Sequence, residues 1–369
     1  MTDRGLPPWA PPSTLPPLYA GWIGDILTAP PPRETAATCE SCAMCGTAAD
    51  PVALTFRPET KCCTYVPNLP NFLVGRILDD TDTASARGRA SVEARITRRI
   101  GVTPLGLATP PATAALYRLG GAAAFGRADT LRCPHYLPEE GGRCGIWRHR
   151  NGTCSTWFCK HDRGRTGQRL WQMLDQLFFA VERSLARWCV LESTLDADAR
   201  AHLFPHGTDR KSDPSLDGAG IDGRVDDDRY TAQWGSWAGR EAEWFRSRAA
   251  HVAGLAWVDV ERIGGVDVRL FARLAREASD AQASARLPSR LAAASCEVMS
   301  SSRADRVHLV GYSGTDPLEV PRGVLDVLPY FNGGATDEAL ARIRRDEGVE
   351  VERALVGKLV DFGLLRAAD

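Results

Sequence analysis

The stretch CESCAMCG, residues 39–46, places three cysteines at two-residue intervals, and KCC, residues 61–63, adds an adjacent pair. Four more cysteines follow within residues 133–162. Two-residue gaps let neighbouring thiolates converge on one centre while the intervening backbone turns and donates amide hydrogen bonds to sulfur. The sequence therefore predicts a loop-rich module, residues 36–165, that is stabilised by metal. Its candidate ligands are Cys39, Cys42, Cys45, Cys62, Cys63, Cys133, Cys144, Cys154 and Cys159.

Composition limits the classes of protein to which this chain can belong. Its 369 residues carry 45 lysines and arginines against 46 aspartates and glutamates, so the net charge of -1 gives the whole chain no general attraction to nucleic acid or anionic membrane. We expect no membrane partner and a cytoplasmic location, because no export signal or membrane-length apolar run is evident. In a reducing compartment, clustered cysteines are typically metal ligands or catalytic thiols rather than disulfides.

Four segments follow from the distribution of residue types. Residues 1–35 are rich in proline and predict a polyproline-like surface arm. The cysteine-rich module, residues 36–165, comes next. Residues 166–295 predict a helical domain with an exposed acidic loop over 203–230, and residues 296–369 predict an α+β unit like a winged helix. The expected fold is thus mainly α, with a metal-stabilised cysteine module and an α+β C-terminal unit.

One helix is strongly indicated after the cysteine-rich module. TGQRLWQMLDQLFFAVERSLARWCVLE, residues 166–192, repeats apolar side chains at three- and four-residue steps, which is typical of a core-facing helix. The predicted apolar face consists of Leu170, Leu174, Leu177, Phe178, Val181, Leu185 and Trp188. Cys189 lies in that helix and, like the isolated Cys296, is expected to be a small buried side chain rather than a ligand. Trp234, Trp237 and Trp244 are expected to pack in the core.

The last seventy or so residues predict a strand, a turn and three short helices. Thr336 is the expected N-cap of ATDEALARIRRDEG, which ends at Gly348. The motifs LPYFNGGATDEAL and LVDFGLL resemble the PqqD-like and winged-helix domains attached to bacterial peptide-modifying and regulatory proteins. Because acidic residues balance the basic ones on both helices, a protein or peptide partner is favoured over DNA.

The number of metal centres stays open at the level of sequence. Three closely spaced thiolates plus a remote one are the usual ligands of a four-iron cluster (4Fe-4S), and zinc is the alternative because tetrahedral thiolate sites accept both. Cys62 and Cys63 would point in opposite directions in an extended segment, so each could serve a different centre. Nine thiols would supply two centres of four with one spare, or one centre with several neighbouring cysteines.

A family resemblance is carried by the distal cysteines. The pattern of Cys133-Pro134, Cys144, Ile146-Trp147, Arg150, Cys154 and Cys159 resembles the distal half of the YkgJ-like cysteine-cluster proteins, described as zinc- or iron-chelating and related to the flagellin lysine N-methylases. Gly46, Trp147 and Asn151 depart from that family's pattern. The resemblance spans about a third of the chain. It implies a metal centre but does not indicate the function of that centre.

Histidines and basic residues close to the cysteines in sequence are further candidates for a role in the metal site. His135, His149 and His161 are expected to form hydrogen bonds beside the thiols, with replacement of a thiolate as the alternative. Nearby basic side chains could offset the charge of a thiolate cluster or form a solvated face; they are Lys61, Arg132, Arg143, Arg148, Arg150, Lys160 and Arg163.

Three functions are compatible with these features. The first is a cytosolic metal-binding protein whose iron-sulfur or zinc centre has a redox, structural or partner-docking role. The second is an iron-sulfur-dependent enzyme that modifies a peptide or protein, as the methylase resemblance implies, although no S-adenosylmethionine loop is recognisable. The third is a metal-responsive transcription regulator. No catalytic residue can be assigned from the sequence.

Overall fold

The computed structural model describes residues 15–39, 42–45, 56–204, 221–284 and 286–368. Helices hold about 54% of these residues, and the strands form small antiparallel sheets, which confirms a mixed fold in which helix predominates. Contacts divide the chain into a larger unit, residues 1–26, 56–157 and 174–273, and a smaller unit, residues 27–55, 158–173 and 274–369. The four-segment division expected from the sequence stays a prediction.

The larger unit is built mainly from helices. These are α1 Pro17–Ile26, α2 Asn71–Asp79, α3 Ala86–Thr97, α4 Pro111–Ala124, α5 Gly152–Thr156, α7 Ala197–Leu203, α8 Asp227–Trp234 and α9 Glu241–Ala253, together with parts of α6 Gly164–Leu191 and α10 Trp257–Ala283. Strands β1 Leu69–Pro70, β2 Val102–Thr103 and β3 Gly106–Leu107 form a small sheet in the order β1-β3-β2. A hairpin pairs β4 Tyr136–Leu137 with β5 Arg143–Cys144.

Helix α6 confirms the periodicity of its sequence. The predicted apolar face is almost completely buried, at Leu170, Leu174, Leu177, Phe178, Val181 and Leu185. Cys189 is fully buried in the same helix, as expected for a small apolar side chain. Trp188, predicted on this face, is instead partly buried and stacks on His251 with ring centroids 4.3 Å apart.

Helices α2 and α9 pack closely and form much of the larger core. A Cβ added at Gly75 would lie 2.0 Å from the carbonyl oxygen of Phe245, so only glycine permits this approach. The predicted packing roles of Trp234 and Trp244 are confirmed, since both are fully buried. Trp237 is partly buried against the same core, with its ring centroid 5.2 Å from that of Trp244.

Two expectations for the larger unit are wrong. Residues 17–26, expected within a polyproline arm, form helix α1, because Tyr19, Trp22 and Ile26 supply an apolar face that is buried. Residues 1–14 of that arm lie outside the described residues. The last residues of the expected acidic loop, from Asp227 onward, form the start of helix α8. The Asp226 carboxylate caps this helix by accepting a hydrogen bond from the Arg229 amide. Residues 205–220 of the loop also lie outside the described residues.

The smaller unit combines two three-stranded sheets with short helices. Its strands are β6 Arg290–Ala293, β7 Glu297–Ser300, β8 Arg306–Val310, β9 Leu318–Pro321, β10 Asn332–Ala335 and β11 Leu365–Ala367, ordered β10-β6-β11 and β7-β8-β9. Helices α11 Val324–Val327, α12 Thr336–Glu347 and α13 Arg353–Asp361 lie between them in sequence. The core of this unit includes Leu291, Leu309, Phe331, Ile343 and Leu359.

Details of the smaller unit refine the sequence predictions. Gly348 ends α12 in the left-handed conformation at φ 67°, as predicted. Thr336 is wrong as the N-cap: it is the first helical residue, and its hydroxyl donates to the Pro288 carbonyl at 2.8 Å. Cys296 is only partly buried and packs against the core of this unit. None of the described helices is long and apolar enough to cross a membrane.

Candidate functional site

Five of the nine candidate ligands belong to the larger unit. They are Cys62, Cys63, Cys133, Cys144 and Cys154, and each of them interacts electrostatically with other members of the set although KCC and the distal cysteines are far apart in sequence. The amide of Cys133 donates to the Cys63 carbonyl at 2.8 Å, which joins the KCC segment to the distal cysteines. We call these five the thiol group.

The KCC segment is a series of turns, which overturns the expectation of opposed side chains. Lys61 has φ 46°, and the Cys63 amide donates to the Thr60 carbonyl at 3.0 Å. In this conformation the Cys63 thiol donates a hydrogen bond to the Cys62 sulfur. Successive side chains point in opposite directions only where the backbone is extended, and here the backbone turns.

A hairpin positions Cys133 and Cys144. Strands β4 and β5 pair Tyr136 with Cys144, and the reversal between them passes through Gly141 and Gly142 at φ 76° and 70°, a conformation that favours glycine. The amide of His135 donates to the Cys133 sulfur, and the amide of Ile146 donates to the Cys144 sulfur. An amide two residues beyond each cysteine thus points at its sulfur, as in turns that present thiolates to metals.

Cys154 enters the thiol group from helix α5. The Asn151 side chain caps this helix by accepting a hydrogen bond from the Cys154 amide at 3.0 Å. The Gly152 amide donates to Oε1 of Glu182 at 2.6 Å, which ties the start of α5 to helix α6. Both contacts fix the first turn of α5, where Cys154 lies.

Four members of the thiol group have raised pKa values, and burial contributes to each shift. Burial raises the pKa of Cys133 to about 12 and also raises those of Cys144 and Cys154, with repulsion from neighbouring thiolates adding to each shift. The hydrogen bond to Cys62, followed by burial, raises the pKa of Cys63 well above its usual value. Thiolates are therefore costly in this environment without a compensating cation.

Cys62 is the exception within the thiol group. Acceptance of the hydrogen bond from Cys63 lowers its pKa, burial opposes this, and the positive charges of Arg150 and Lys61 lower it further. Arg150 also lowers the pKa of Cys144 and Cys154. Its guanidinium is buried and lies 3.4 Å from the ring centroid of Trp147.

Three of the seven predicted basic neighbours act on the thiol group. Arg150 and Lys61 do so as described, and Arg143 lowers the pKa of Cys144 although it also pairs with Glu140. The Lys61 ammonium also donates to the carbonyls of Gly141 and Gly142 at 3.1 and 2.8 Å. The other four have acidic partners within 4.0 Å: Asp129 for Arg132, Asp80 and Asp82 for Arg148, Asp316 for Lys160, and Asp361 for Arg163.

The other four candidate ligands, Cys39, Cys42, Cys45 and Cys159, belong to the smaller unit. The Cys45 amide donates to the Cys42 carbonyl at 3.0 Å, which closes a tight turn. The amide of Asp162 donates a hydrogen bond to the Glu34 carboxylate. The carboxylate of Asp162 in turn accepts hydrogen bonds from the Thr35 amide and hydroxyl at 3.2 and 3.0 Å. The segment preceding Cys39 is thereby held to the segment following Cys159. Residues 40, 41 and 46–55 lie outside the described residues.

Each candidate histidine forms a hydrogen bond with a group other than a cysteine side chain. His135 is fully buried, and its Nδ1 lies 2.7 Å from the Ser91 hydroxyl. His149 Nε2 lies 3.1 Å from the Asp80 carboxylate, and His161 Nδ1 lies 3.2 Å from the Tyr312 hydroxyl. Burial lowers the pKa of all three, to about 3 for His135 and about 4 for the other two.

Sequence reasoning missed a buried carboxyl near the thiol group. Glu182 of α6 accepts hydrogen bonds at Oε1 from the Tyr19 hydroxyl and the Gly152 amide. Burial raises its pKa to about 7. The signal was present in the sequence, because Glu182 follows Phe178 by four residues and precedes Leu185 by three, which places it on the apolar face of α6.

The donor chemistry of the thiol group fits a soft metal. No disulfide joins any of the eleven cysteines, all of which the structure describes. Thiolates are the ligands that zinc and iron-sulfur clusters share, and amide donors to sulfur are typical of such sites. In the described parts of the chain, however, no three Cys, His, Asp or Glu side chains are grouped so as to hold a metal ion.

No protein-family model, curated protein or solved structure matches this chain.

Proposed function

We propose that the chain is a metal-binding protein whose clustered cysteines hold iron-sulfur, with 4Fe-4S preferred over zinc. The observation that supports this most directly is the thiol group: five thiols on three separate segments interact electrostatically, and amides point at two of their sulfurs. The resemblance to the YkgJ-like proteins agrees with this proposal. When bound, the centre would supply electron transfer, redox sensing or a structural clamp.

The division of the nine cysteines supports two centres rather than one. Five lie in the larger unit and four in the smaller unit, and each set contains enough thiols for a four-ligand site. In the larger unit Arg150, Lys61 and Arg143 would offset the negative charge of bound thiolates. The amides of His135 and Ile146 would donate to ligand sulfurs and hold their orientation.

Elemental analysis of protein purified without oxygen tests this proposal. We expect iron with a matching amount of acid-labile sulfide and broad visible absorption, and a marked loss of both in Cys144→Ser. Cys189→Ser is the matched control, because Cys189 is buried within α6 and lies outside the thiol group. Zinc without iron in a colourless sample would indicate a structural zinc site instead of an iron-sulfur cluster. A metal content that Cys144→Ser leaves unchanged would refute the ligand assignment.

A second candidate function is a peptide- or protein-modifying enzyme. The observation that favours it is the Glu182–Tyr19 pair, because buried hydrogen-bonded carboxyls with raised pKa values occur at catalytic sites. Quantitative mass spectrometry of cells that produce the wild-type chain or Cys144→Ser separates the two functions. A covalent modification that appears only with the wild-type chain supports an enzyme, whereas identical proteomes favour the binding role.

We also propose that the smaller unit docks a protein or peptide, as its winged-helix-like sequence suggests. Ion pairs occupy several basic side chains of its helices, including Arg353 with Asp337, Arg344 with Glu350 and Arg345 with Asp346, which disfavours binding to DNA. Strand β7 lies at a sheet edge and leaves Val298 half exposed. A photo-crosslinking side chain at position 298 should trap a polypeptide, and crosslinks to nucleic acid alone would contradict this role.

A further inference from the structure

A cavity of about 630 Å³ lies in the larger unit between helix α6 and the sheet β1-β3-β2. The sheet side supplies Leu69, Leu105 and Leu107, and α6 supplies Phe179 and Ala186. Its volume falls in the range of about 300–1,000 Å³ that is typical of small-molecule sites. The Asn71 side chain holds the two sides together by donating to the Pro104 and Ala186 carbonyls at 3.0 and 3.1 Å.

The walls of this cavity are suited to an apolar ligand. Phe179 leaves 53% of its surface exposed, although the neighbouring Phe178 on the same helix is buried. Phe204 and Leu203 also line the cavity and are only partly buried against the core. An apolar ligand would remove this surface from water, which favours binding.

Two arginines give the cavity a positively charged border. Arg183 and Arg187 line it from α6 and are four residues apart, so they lie on the same face of the helix. The Arg183 pair with Asp267, at 3.0 Å, is more than half exposed on both sides and therefore holds the guanidinium weakly. The Arg187 guanidinium stacks over the Phe204 ring, 4.3 Å from its centroid, so it is positioned against one wall of the cavity.

Glu182 also lines the cavity and would oppose the charge of these arginines if it were fully ionised. Its carboxyl is buried and accepts hydrogen bonds from the Tyr19 hydroxyl and the Gly152 amide, and the charge of Asp175 adds to the rise of its pKa. Because burial raises the pKa of Glu182 to about 7, the carboxyl is only partly ionised at neutral pH. The cavity therefore combines apolar walls with two arginines whose charge Glu182 and Asp267 offset only in part.

We propose that this cavity binds a small amphipathic monoanion, with its apolar body between Phe179, Leu107 and Leu203 and its carboxylate at Arg183 and Arg187. Guanidinium groups recognise carboxylates through paired N–H donors, which explains why two arginines one turn apart suit a single carboxylate. The cavity borders Asn151 and Thr153, which precede Cys154, so the ligand would lie beside the helix that supplies one member of the thiol group. The inference does not depend on a bound metal.

Calorimetric titration of the full-length protein with three ligands of equal chain length tests the proposal. Decanoate, decanol and decylammonium are each used below the concentration at which they form micelles. We expect decanoate to bind with one-to-one stoichiometry and decanol about tenfold more weakly, as loss of charge-assisted hydrogen bonds implies. The double variant Arg183→Gln, Arg187→Gln should weaken decanoate binding by at least about tenfold without affecting decanol.

Arg169→Gln is the matched control, because Arg169 is exposed on the same helix and does not line the cavity. Circular dichroism confirms that each variant is folded before titration. Decanoate binding that survives the double variant, or no decanoate binding at all, overturns the proposal. Tighter binding of decylammonium that Glu182→Gln abolishes would overturn it too, since the cavity would then recognise a cation through Glu182.

Discussion

At the scale of single residues, Glu182 shows how much of the site the sequence could reveal. Its position on the apolar face of α6 can be read from the spacing to Phe178 and Leu185. Its partners Tyr19 and Gly152 lie 163 and 30 residues away, and no local pattern brings them together. The turn at Lys61 could not be predicted from the sequence either, because the residues KCC give no indication of a positive φ at the lysine.

The pH dependence of stability should reveal the buried carboxyl of Glu182. Burial raises its pKa from 4.5 to about 7, so the folded state binds a proton more tightly than the unfolded state does. The unfolding free energy therefore loses about 3 kcal/mol as pH rises from 4.5 through 7, and no more is lost above that. The charged and polar groups facing Glu182 are Tyr19, the Gly152 amide and Asp175.

Urea titrations of the wild-type chain and Glu182→Gln at several pH values between 4.5 and 8 measure this loss. The wild-type chain should lose stability relative to Glu182→Gln across that interval, because glutamine carries no titrating proton. Glu93→Gln, on the exposed side of α3, should give a curve parallel to that of the wild type. Parallel curves for Glu182→Gln would show that folding does not raise the pKa of the Glu182 carboxyl.

At the scale of elements, helices with a long apolar repeat were predictable and those with mixed signals were not. Helix α6 follows its three- and four-residue spacing over 28 residues. Helix α1 was missed because prolines around it indicate a polyproline segment, although Pro17 at its first position is compatible with a helix start. Helix α8 was missed because its acidic start is typical of a loop, whereas Asp226 acts as a cap.

The packing of α2 against α9 leads to a prediction about Gly75. Its added Cβ would lie 2.0 Å from the Phe245 carbonyl oxygen and 2.6 Å from its carbonyl carbon, so Gly75→Ala must push the helices apart. We expect Gly75→Ala to lower the unfolding free energy by about 2 kcal/mol, as overpacking of a core does. Urea titration at fixed pH measures the change.

Gly24→Ala is the control for this prediction. Gly24 is exposed in α1, and apart from its chain neighbours and the backbone of its own helix no atom of the described residues lies within 4 Å of the position that an added Cβ would occupy. Alanine should therefore be neutral there or stabilising by up to about 1 kcal/mol. If Gly75→Ala is tolerated as well as Gly24→Ala, helices α2 and α9 do not approach each other closely enough to require a glycine.

At the scale of the whole molecule, the cysteines illustrate what sequence order cannot supply. Nine of them fall within residues 36–165, which predicts one module, yet contacts assign five to one unit and four to the other. Residues 56–157 belong to the larger unit, whereas the segments on either side of them belong to the smaller unit. This division depends on contacts between segments that are distant in sequence. Cysteine spacing predicts the kind of site, whereas tertiary contacts decide which thiols are neighbours.

The assignment of thiols to two units predicts how metal is lost on substitution. With one centre in each unit and four thiolates per centre, Cys144→Ser and Cys42→Ser should each remove about half of the bound metal. The double variant should retain none, while Cys189→Ser and Cys296→Ser should keep the full amount. Iron, zinc and sulfide per chain, measured on protein purified without oxygen, give these values. If either single variant empties the protein completely, ligands from both units belong to one centre and the two-centre proposal is wrong.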